Sequence, residues 1–136
     1  MADKIHFQVV TAGGAVFDKM VNYVGAPLAD GDAGIMAGHA AMLGSLREGV
    51  VKAKYEDGTE YIAVSGGVLN VANDEVIMLA RTAELAESID IARAQASESR
   101  ARKRIEAKSD DLDMKRAELS LARALAREKA YSFLNK

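Results

Sequence analysis

Six arginines in the last third of the chain are the residues whose type and spacing best suit chemistry. They form two sets, each at positions i, i+7 and i+11. At about 3.6 residues per turn, each set lies along one stripe of a helix. The six are Arg93, Arg100, Arg104, Arg116, Arg123 and Arg127. Because arginine presents a planar fork of donors, the stripes indicate a phosphate-bearing ligand or an acidic protein surface, although a solvated helix face is commoner.

The orientation of the two stripes is open from sequence alone. If they face each other across a pair of helices, the arginines repel unless an anion sits between them. If they face outward, they form a solvated surface.

A second group of polar residues lies in the glycine-rich segment 30–49, which contains Asp30, Asp32 and His39. Such a segment turns sharply and suits either a site or a docking surface. Nothing nearby supplies a base or a metal partner for the carboxylates, and acidic turn residues are usually only turn residues. The segment also lacks the G-x-x-x-x-G-K-[ST] spacing of a phosphate-binding loop. We therefore expect a docking surface here.

Several functional classes are disfavoured by the whole chain of 136 residues. It has no cysteine, His6 and His39 lie on different segments, and H-E-x-x-H and G-x-S-x-G are absent, so we expect neither catalysis nor a metal. A net charge of −2, 5% aromatics and no tryptophan disfavour nucleic acid. The first residues lack the charged and apolar regions of a secretory signal, and no apolar run of about 18 residues occurs, so we expect neither a secretory signal nor direct membrane insertion.

The elements that must position these residues change character near residue 86. All 11 glycines and the single proline lie between Gly13 and Gly67. Alternating apolar residues and turns such as Asn73-Asp74 predict short strands, and Ser65-Gly66-Gly67 is expected to break the sheet. Many short strands without intervening helices predict an antiparallel β-sandwich or flattened barrel over residues 1–86.

Residues 87–136 have a helical composition. Ser88 is the predicted N-cap of a helix over residues 89–107, and Ser109-Asp110-Asp111 should end it and cap a second helix over 111–134. The short connection predicts an antiparallel helical hairpin. Its facing residues are mostly alanine, which buries little area, so the hairpin should open at modest cost. The fold class is therefore α+β, with an N-terminal antiparallel β-sandwich followed by a C-terminal antiparallel α-helical hairpin.

The two parts also differ in charge. Residues 1–86 carry 6 basic and 11 acidic side chains, a net charge of −5. Residues 87–136 carry 12 basic and 9 acidic side chains, a net charge of +3. This asymmetry indicates two domains with different partners.

Four motifs, in order along the chain, resemble the epsilon subunits of bacterial F-type ATP synthases. V-x-T-x-x-x-x-V-F is matched from Val9 to Phe17, and G-x-x-G-I-x-x-G-H-A-x-x-L-x-x-L-x-x-G from Gly31 to Gly49. S-G-G is matched by residues 65–67, and I/L-D-x-x-R-A from Ile89 to Ala94. Each motif is weak alone, but four at family spacing along the whole chain are specific.

The resemblance implies a non-catalytic rotor subunit with no required cofactor. Its sandwich is expected at the foot of the central stalk, with Asp32 toward the rotor-ring c subunits and His39 in the segment beside the gamma subunit. The hairpin is expected either to fold on the sandwich or to extend along gamma to the catalytic alpha and beta subunits, where it inhibits ATP hydrolysis. The implied location is peripheral, at the cytoplasmic face of the bacterial cell membrane. The family usually has proline where Ala12 and Ala37 stand here, which changes local loop geometry only.

The same resemblance implies ATP as a regulatory ligand, because some family members with the I/L-D-x-x-R-A motif bind it in the hairpin. The matching positions are Ile89, Asp90, Arg93, Ala94, Arg123 and Arg127, with Glu84 and Arg100 as flanking contacts. ATP would favour the folded hairpin only by its differential affinity for the two states. Two alternatives stand beside the stalk function: a nucleotide-sensing module, and a sandwich-plus-hairpin adaptor outside an ATPase.

Overall fold

The computed structural model describes residues 3–107 and 111–135, and it confirms the α+β class. The described strands are β1 (Ile5–Thr11), β2 (Gly14–Val21), β3 (Tyr23–Leu28), β4 (Gly31–Ile35), β5 (Met42–Leu46), β6 (Gly49–Tyr55), β7 (Gly58–Ala72) and β8 (Glu75–Leu85). The helices are α1 (Ile91–Ala107) and α2 (Asp111–Ser132), with 3₁₀ turns at Ala86–Ser88 and Phe133–Asn135. The helix stop predicted at Ser109 and Asp110 lies outside the described residues.

The strands form one continuous sheet that closes over a common core as a sandwich. Their order is β2-β1-β8-β7-β5-β3-β4, and β6 pairs with both β3 and β7. Between the described strands, every pairing is antiparallel except that of β1 with β8, which is parallel. Sequence pattern predicted only antiparallel pairs, because turn signals identify strands that are neighbours in sequence and not a strand that returns from far along the chain.

Strand β7 runs through the segment where the sequence predicted a break. Residues 58–64 of β7 pair with β6, whereas residues 67–71 pair with β5, so one strand serves both halves of the sandwich. The change of partner occurs at Gly66 and Gly67, whose φ angles are +61° and +123°. A Cβ on Gly67 would lie 2.1 Å from the carbonyl oxygen of Leu79. These glycines therefore redirect the strand without ending it.

The sandwich core follows from the predicted alternation. Ile5, Phe7 and Val9 are each at most 1% exposed, while the residues between them are partly exposed. The ring of Phe7 lies 5.5 Å from that of Phe17 on the paired strand. The turn between β7 and β8 has positive φ at Asn73 and Asp74, as its residue types predict.

The helical hairpin packs against one outer face of the sandwich, mainly through α2 on β6 and β7. Ala130 of α2 packs in a small cluster with Ala63 of β7 and Ile89. Nearby, the rings of Tyr61 and Phe133 stack with their centroids 4.5 Å apart. This contact is small and centred on alanine, so it contributes little per residue.

The seam between the two helices is lined by alanine, as expected from the sequence. The buried alanines along it are Ala94 and Ala101 of α1 and Ala117 and Ala124 of α2. Alanine allows close approach of the helices but removes little apolar surface from water. The closed hairpin is therefore held weakly compared with a leucine seam.

Asp90, and not Ser88, caps α1. The Asp90 Oδ1 accepts a hydrogen bond from the backbone N–H of Arg93 at 3.1 Å. Ser88 is already part of the 3₁₀ turn before the helix, so the predicted N-cap was two residues too early. None of the described helices is long and apolar enough to cross a membrane.

Candidate functional site

A cavity of about 720 Å³ lies between the hairpin and the sandwich and is open to solvent on one side. Its floor is formed by residues 63–65 of β7 and 82–84 of β8, and its walls by both helices. We call this cavity the interdomain groove. Its floor exists because β7 and β8 stay paired from Ile62 and Leu85 to Gly67 and Ala80, and Ala63 of this segment packs against Ala130 of α2.

The interdomain groove collects most of the stripe arginines. The five that line it are Arg93, Arg100, Arg104, Arg123 and Arg127, whereas Arg116 does not. The two stripes therefore neither oppose each other across the hairpin nor simply face solvent, because both border the same space above the sandwich. Glu84 is the acidic residue among the lining side chains. This excess of positive charge suits a ligand with several negative charges.

Glu84 and Arg127 pair across the groove. The Arg127 Nε donates to Glu84 Oε1 at 2.9 Å, and its Nη2 donates to Oε2 at 3.5 Å. The Arg127 side chain is 22% exposed and that of Glu84 is 35% exposed. The pair thus joins the sandwich to α2, and among the described residues that line the groove it leaves four arginines without a carboxylate partner.

Two serines that sequence reasoning missed hold groove arginines. Arg100 Nη2 donates to Ser97 Oγ, and Arg123 Nη2 donates to Ser120 Oγ, each at 3.1 Å. Each serine lies three residues before its arginine on the same helix face, a spacing that was visible in the sequence. The same serine–arginine pair therefore occurs once on each helix, with both arginines lining the groove.

Three of the predicted ATP contacts lie outside the groove lining. Ile89 is 6% exposed and Ala94 is fully buried, so both are packing residues. Asp90 caps α1, as described above. The structure thus places Glu84, Arg93, Arg100, Arg123 and Arg127 around the groove, while the remaining motif residues fix the start of the helix that carries Arg93.

The predicted docking residues lie elsewhere on the sandwich. Asp32 of β4 accepts a hydrogen bond from Arg47 Nη2, while Arg47 Nε donates to the carbonyl oxygen of Leu28 at 3.0 Å. His39 is half-buried in the loop before β5, and its Nδ1 donates to the carbonyl oxygen of Ala40 at 2.8 Å. Asp32 and His39 are not brought together with the groove arginines.

An exposed apolar patch on the sandwich was also missed by sequence reasoning. Leu43 is 75% exposed, Leu79 is 52% exposed and Val68 is 40% exposed. Val68 pairs with Leu79 in the β7–β8 register, and Ser45, two residues from Leu43, pairs with Val68. The three side chains therefore share one face of adjoining strands. Contiguous exposed apolar side chains of this kind mark protein interfaces.

A histidine–carboxylate cluster occupies the β1–β2–β8 part of the sheet. His6 Nε2 lies 2.6 Å from Asp18 Oδ1, and Nδ1 lies 3.6 Å from Glu75 Oε1. The hydrogen bond to Asp18 raises the pKa of His6 above its ordinary value, with a smaller contribution from Glu75. Within the described part of the chain, no group of three histidine or acidic side chains is arranged to hold a metal ion.

Comparison with known proteins covers both parts of the chain. Residues 4–86 match the family model of the ATP synthase delta/epsilon chain β-sandwich domain. Residues 87–132 match that of the delta/epsilon chain long α-helix domain. The chain is 44% identical over 123 residues to the ATP synthase epsilon chain of Bacillus velezensis, covering 90% of this chain and 93% of the relative. It is 38% identical over 130 residues to that of Desulforamulus reducens, covering 96% and 98%.

Solved structures share the fold at lower identity. A chain of the Euglena gracilis mitochondrial ATP synthase has a TM-score of 0.82 at 22% identity, covering 93% of this chain and 81% of that one. A chain from the Tetrahymena thermophila mitochondrial ATP synthase central stalk and c-ring has a TM-score of 0.62 at 13% identity, covering 95% and 97%. At these identities the likeness concerns the fold alone.

Proposed function

This chain belongs to the family of ATP synthase epsilon chains, an accessory subunit and not an enzyme, and from that premise we propose that it is a regulatory rotor subunit of the central stalk. Its sandwich couples the catalytic head to the ion-translocating ring, and its hairpin inhibits ATP hydrolysis. The observation that carries the regulatory part is the weak, alanine-centred attachment of a net basic hairpin to a net acidic sandwich. An adaptor outside an ATPase does not agree with the family membership.

The sandwich supplies the docking surfaces. The apolar patch of Leu43, Val68 and Leu79 suits a permanent protein partner, and the gamma subunit is the partner we propose. Asp32, with its side chain 78% exposed, is proposed to face the c subunits, and His39 the gamma subunit. This arrangement makes the protein peripheral at the cytoplasmic face of the cell membrane.

The hairpin is the regulatory part of the proposed subunit. Because its contact with the sandwich buries mainly alanine, it is able to leave the sandwich and extend along gamma toward the alpha and beta subunits. The net charge of +3 over residues 87–136 would then meet acidic surfaces of the catalytic head. In the extended form the hairpin blocks rotation in the hydrolysis direction.

Deleting residues 87–136 tests this function in the assembled enzyme. We expect the complex to assemble with its ring, because the docking surfaces lie on the sandwich, and ATP hydrolysis to rise relative to the intact complex. Co-purification of the other subunits is the control for assembly. Unchanged hydrolysis in an assembled complex would show that the hairpin does not inhibit.

A second function, nucleotide sensing, is favoured by the interdomain groove. Five arginines around one cavity suit the triphosphate of ATP, and a ligand bound between hairpin and sandwich would favour the folded hairpin. Calorimetry with ATP and the full chain tests this proposal. We expect heat of binding below millimolar ATP, and no binding at millimolar concentration would remove the nucleotide role while leaving the stalk function intact.

A further inference from the structure

Two glutamates, one on each helix, occupy the alanine-lined seam of the hairpin. On α1, Glu98 lies between the buried Ala94 and Ala101, four residues after the first and three before the second. On α2, Glu128 follows the buried Ala124 by four residues. These spacings put both carboxyl groups on the sides that the helices turn toward each other.

The two carboxyl groups lie on the facing sides of the seam and act on each other's protonation, and a hydrogen bond between two carboxyl groups requires a proton on one of them. Glu98 Oε2 also accepts from Arg102 Nε at 2.6 Å, and the Glu98 side chain is 23% exposed. Glu128 Oε2 is buried and receives no hydrogen bond from the N–H and O–H donors of the described residues. A proton on Glu128 and a negative charge on Glu98 satisfy this arrangement, whereas two carboxylates do not.

We propose that the Glu98–Glu128 pair is a proton-binding site that holds the hairpin closed. While the pair shares a proton, it forms a hydrogen bond across the seam. When that proton is lost, two negative charges face each other across a contact that alanine alone holds weakly. Acidification therefore favours the closed hairpin, and alkalinisation favours separation of the helices.

The electrostatic environment of Glu128 also favours a proton on this carboxyl in the closed hairpin. Burial raises the pKa of Glu128 from its ordinary 4.5, and the hydrogen bond and charge of Glu98 raise it further. The hydrogen bond from Arg102 lowers the pKa of Glu98. A carboxyl whose pKa is higher in the closed hairpin than in the open one stabilises the closed hairpin. That stabilisation is complete at pH values below the ordinary pKa of the carboxyl. That contribution is lost as the pH rises through the raised pKa.

Other charged groups near the hairpin do not offset this effect. Among the described residues, Arg102 is the only further charged group that acts on the pair. The strands and the 3₁₀ turn that pack on α2 carry four charged residues, which belong to the sandwich side of that helix. Those residues are Lys52 and Lys54 of β6, Glu60 of β7, and Glu87 of the turn. Arg127, next to Glu128 in sequence, is paired with Glu84.

Distance measurements on the full chain test the proposal. The chain has no cysteine, so Ser99→Cys on α1 and Leu125→Cys on α2 introduce two exposed sites for spin labels. We expect the population with a short label-to-label distance to fall as the pH rises, following the loss of a single proton. Adding Glu128→Gln keeps the side-chain shape and donates an N–H to Glu98, so the short distance should persist at all pH values.

Glu118→Gln is the matched control. It removes the same charge from an exposed position on the same helix, so it should retain the pH transition of the labelled parent chain. Carbon NMR of the side-chain carboxyls supplies a second measurement, in which Glu128 should titrate above its ordinary value of 4.5 because burial raises its pKa. The proposal is overturned if Glu128 titrates at or below its ordinary value, or if Glu128→Gln leaves the pH profile of the distance unchanged.

Discussion

Arg127 of α2 and Glu84 of β8 form an ion pair across the boundary between hairpin and sandwich, with Arg127 Nε 2.9 Å from Glu84 Oε1. The pair is charge-assisted and two-pronged, so it fixes orientation as well as position. Because Arg127 also lines the interdomain groove, the contact that holds the hairpin down is part of the candidate binding site. An anion in the groove would compete with Glu84 for the same guanidinium.

A double-mutant cycle on this pair should give a coupling free energy of about 0.5–1 kcal/mol, because the side chains are only partly buried. The variants are Glu84→Gln, Arg127→Gln and the double change, each measured by urea unfolding. A coupling near zero would show that the pair is solvated in solution and does not hold the hairpin.

Arg123→Ala should weaken ATP binding by about tenfold or more, because it removes a charged donor that Ser120 holds at the groove. Arg116→Ala is the matched control, since Arg116 belongs to the same stripe and helix but does not line the groove. Calorimetry on the full chain compares the two. An equal loss of ATP affinity in the two variants would indicate that binding depends only on the overall charge of the hairpin.

Gly67→Ala should destabilise the sandwich by about 3 kcal/mol or more. Its φ of +123° is unfavourable for any side chain, and the added Cβ would lie 2.1 Å from the carbonyl oxygen of Leu79. Gly58→Ala, whose nearest neighbouring atom is 3.7 Å from the added Cβ, should change stability by only about 0.5 kcal/mol. Urea midpoints provide the comparison, and similar midpoints would contradict the close approach of β7 to β8.

The His6–Asp18 pair should make the sandwich less stable as the pH rises above neutrality. Because the hydrogen bond to Asp18 raises the pKa of His6, the stabilisation is complete below about pH 6.5 and is lost as the pH rises through the raised value. His6→Gln should remove this dependence. Urea midpoints of both proteins between about pH 6 and pH 9, at low and high salt, provide the measurement, and salt should reduce the effect because both groups are exposed. Parallel pH profiles for the two proteins would contradict the prediction.

The parts of the fold that sequence predicted correctly are those determined by local pattern. The alternation of Ile5, Phe7 and Val9 identified a core strand because successive side chains of a strand point to opposite faces. The absence of glycine and proline after Gly67 separated the helical part, because both residues are unfavourable inside helices.

The parts that sequence missed depend on contacts between distant segments. The stripes gave the spacing of the arginines but not what they faced, because the floor of the groove comes from β7 and β8. Arg116 fitted the spacing as well as Arg123 did, and only the position of the sandwich distinguishes them. The meeting of Glu98 with Glu128 likewise depends on the register of the two helices, which the sequence pattern did not specify.

The parallel pairing of β1 with β8 has a consequence for the order in which the protein folds. His6 is in register with Glu75, so the first strand cannot complete its place in the sheet until nearly the whole sandwich has been synthesised. Because β8 precedes both helices in the chain, every described strand of the sandwich leaves the ribosome before either helix does. Vectorial synthesis therefore presents the strands of the sandwich first, and we expect the hairpin to meet its own sandwich before it meets any other subunit.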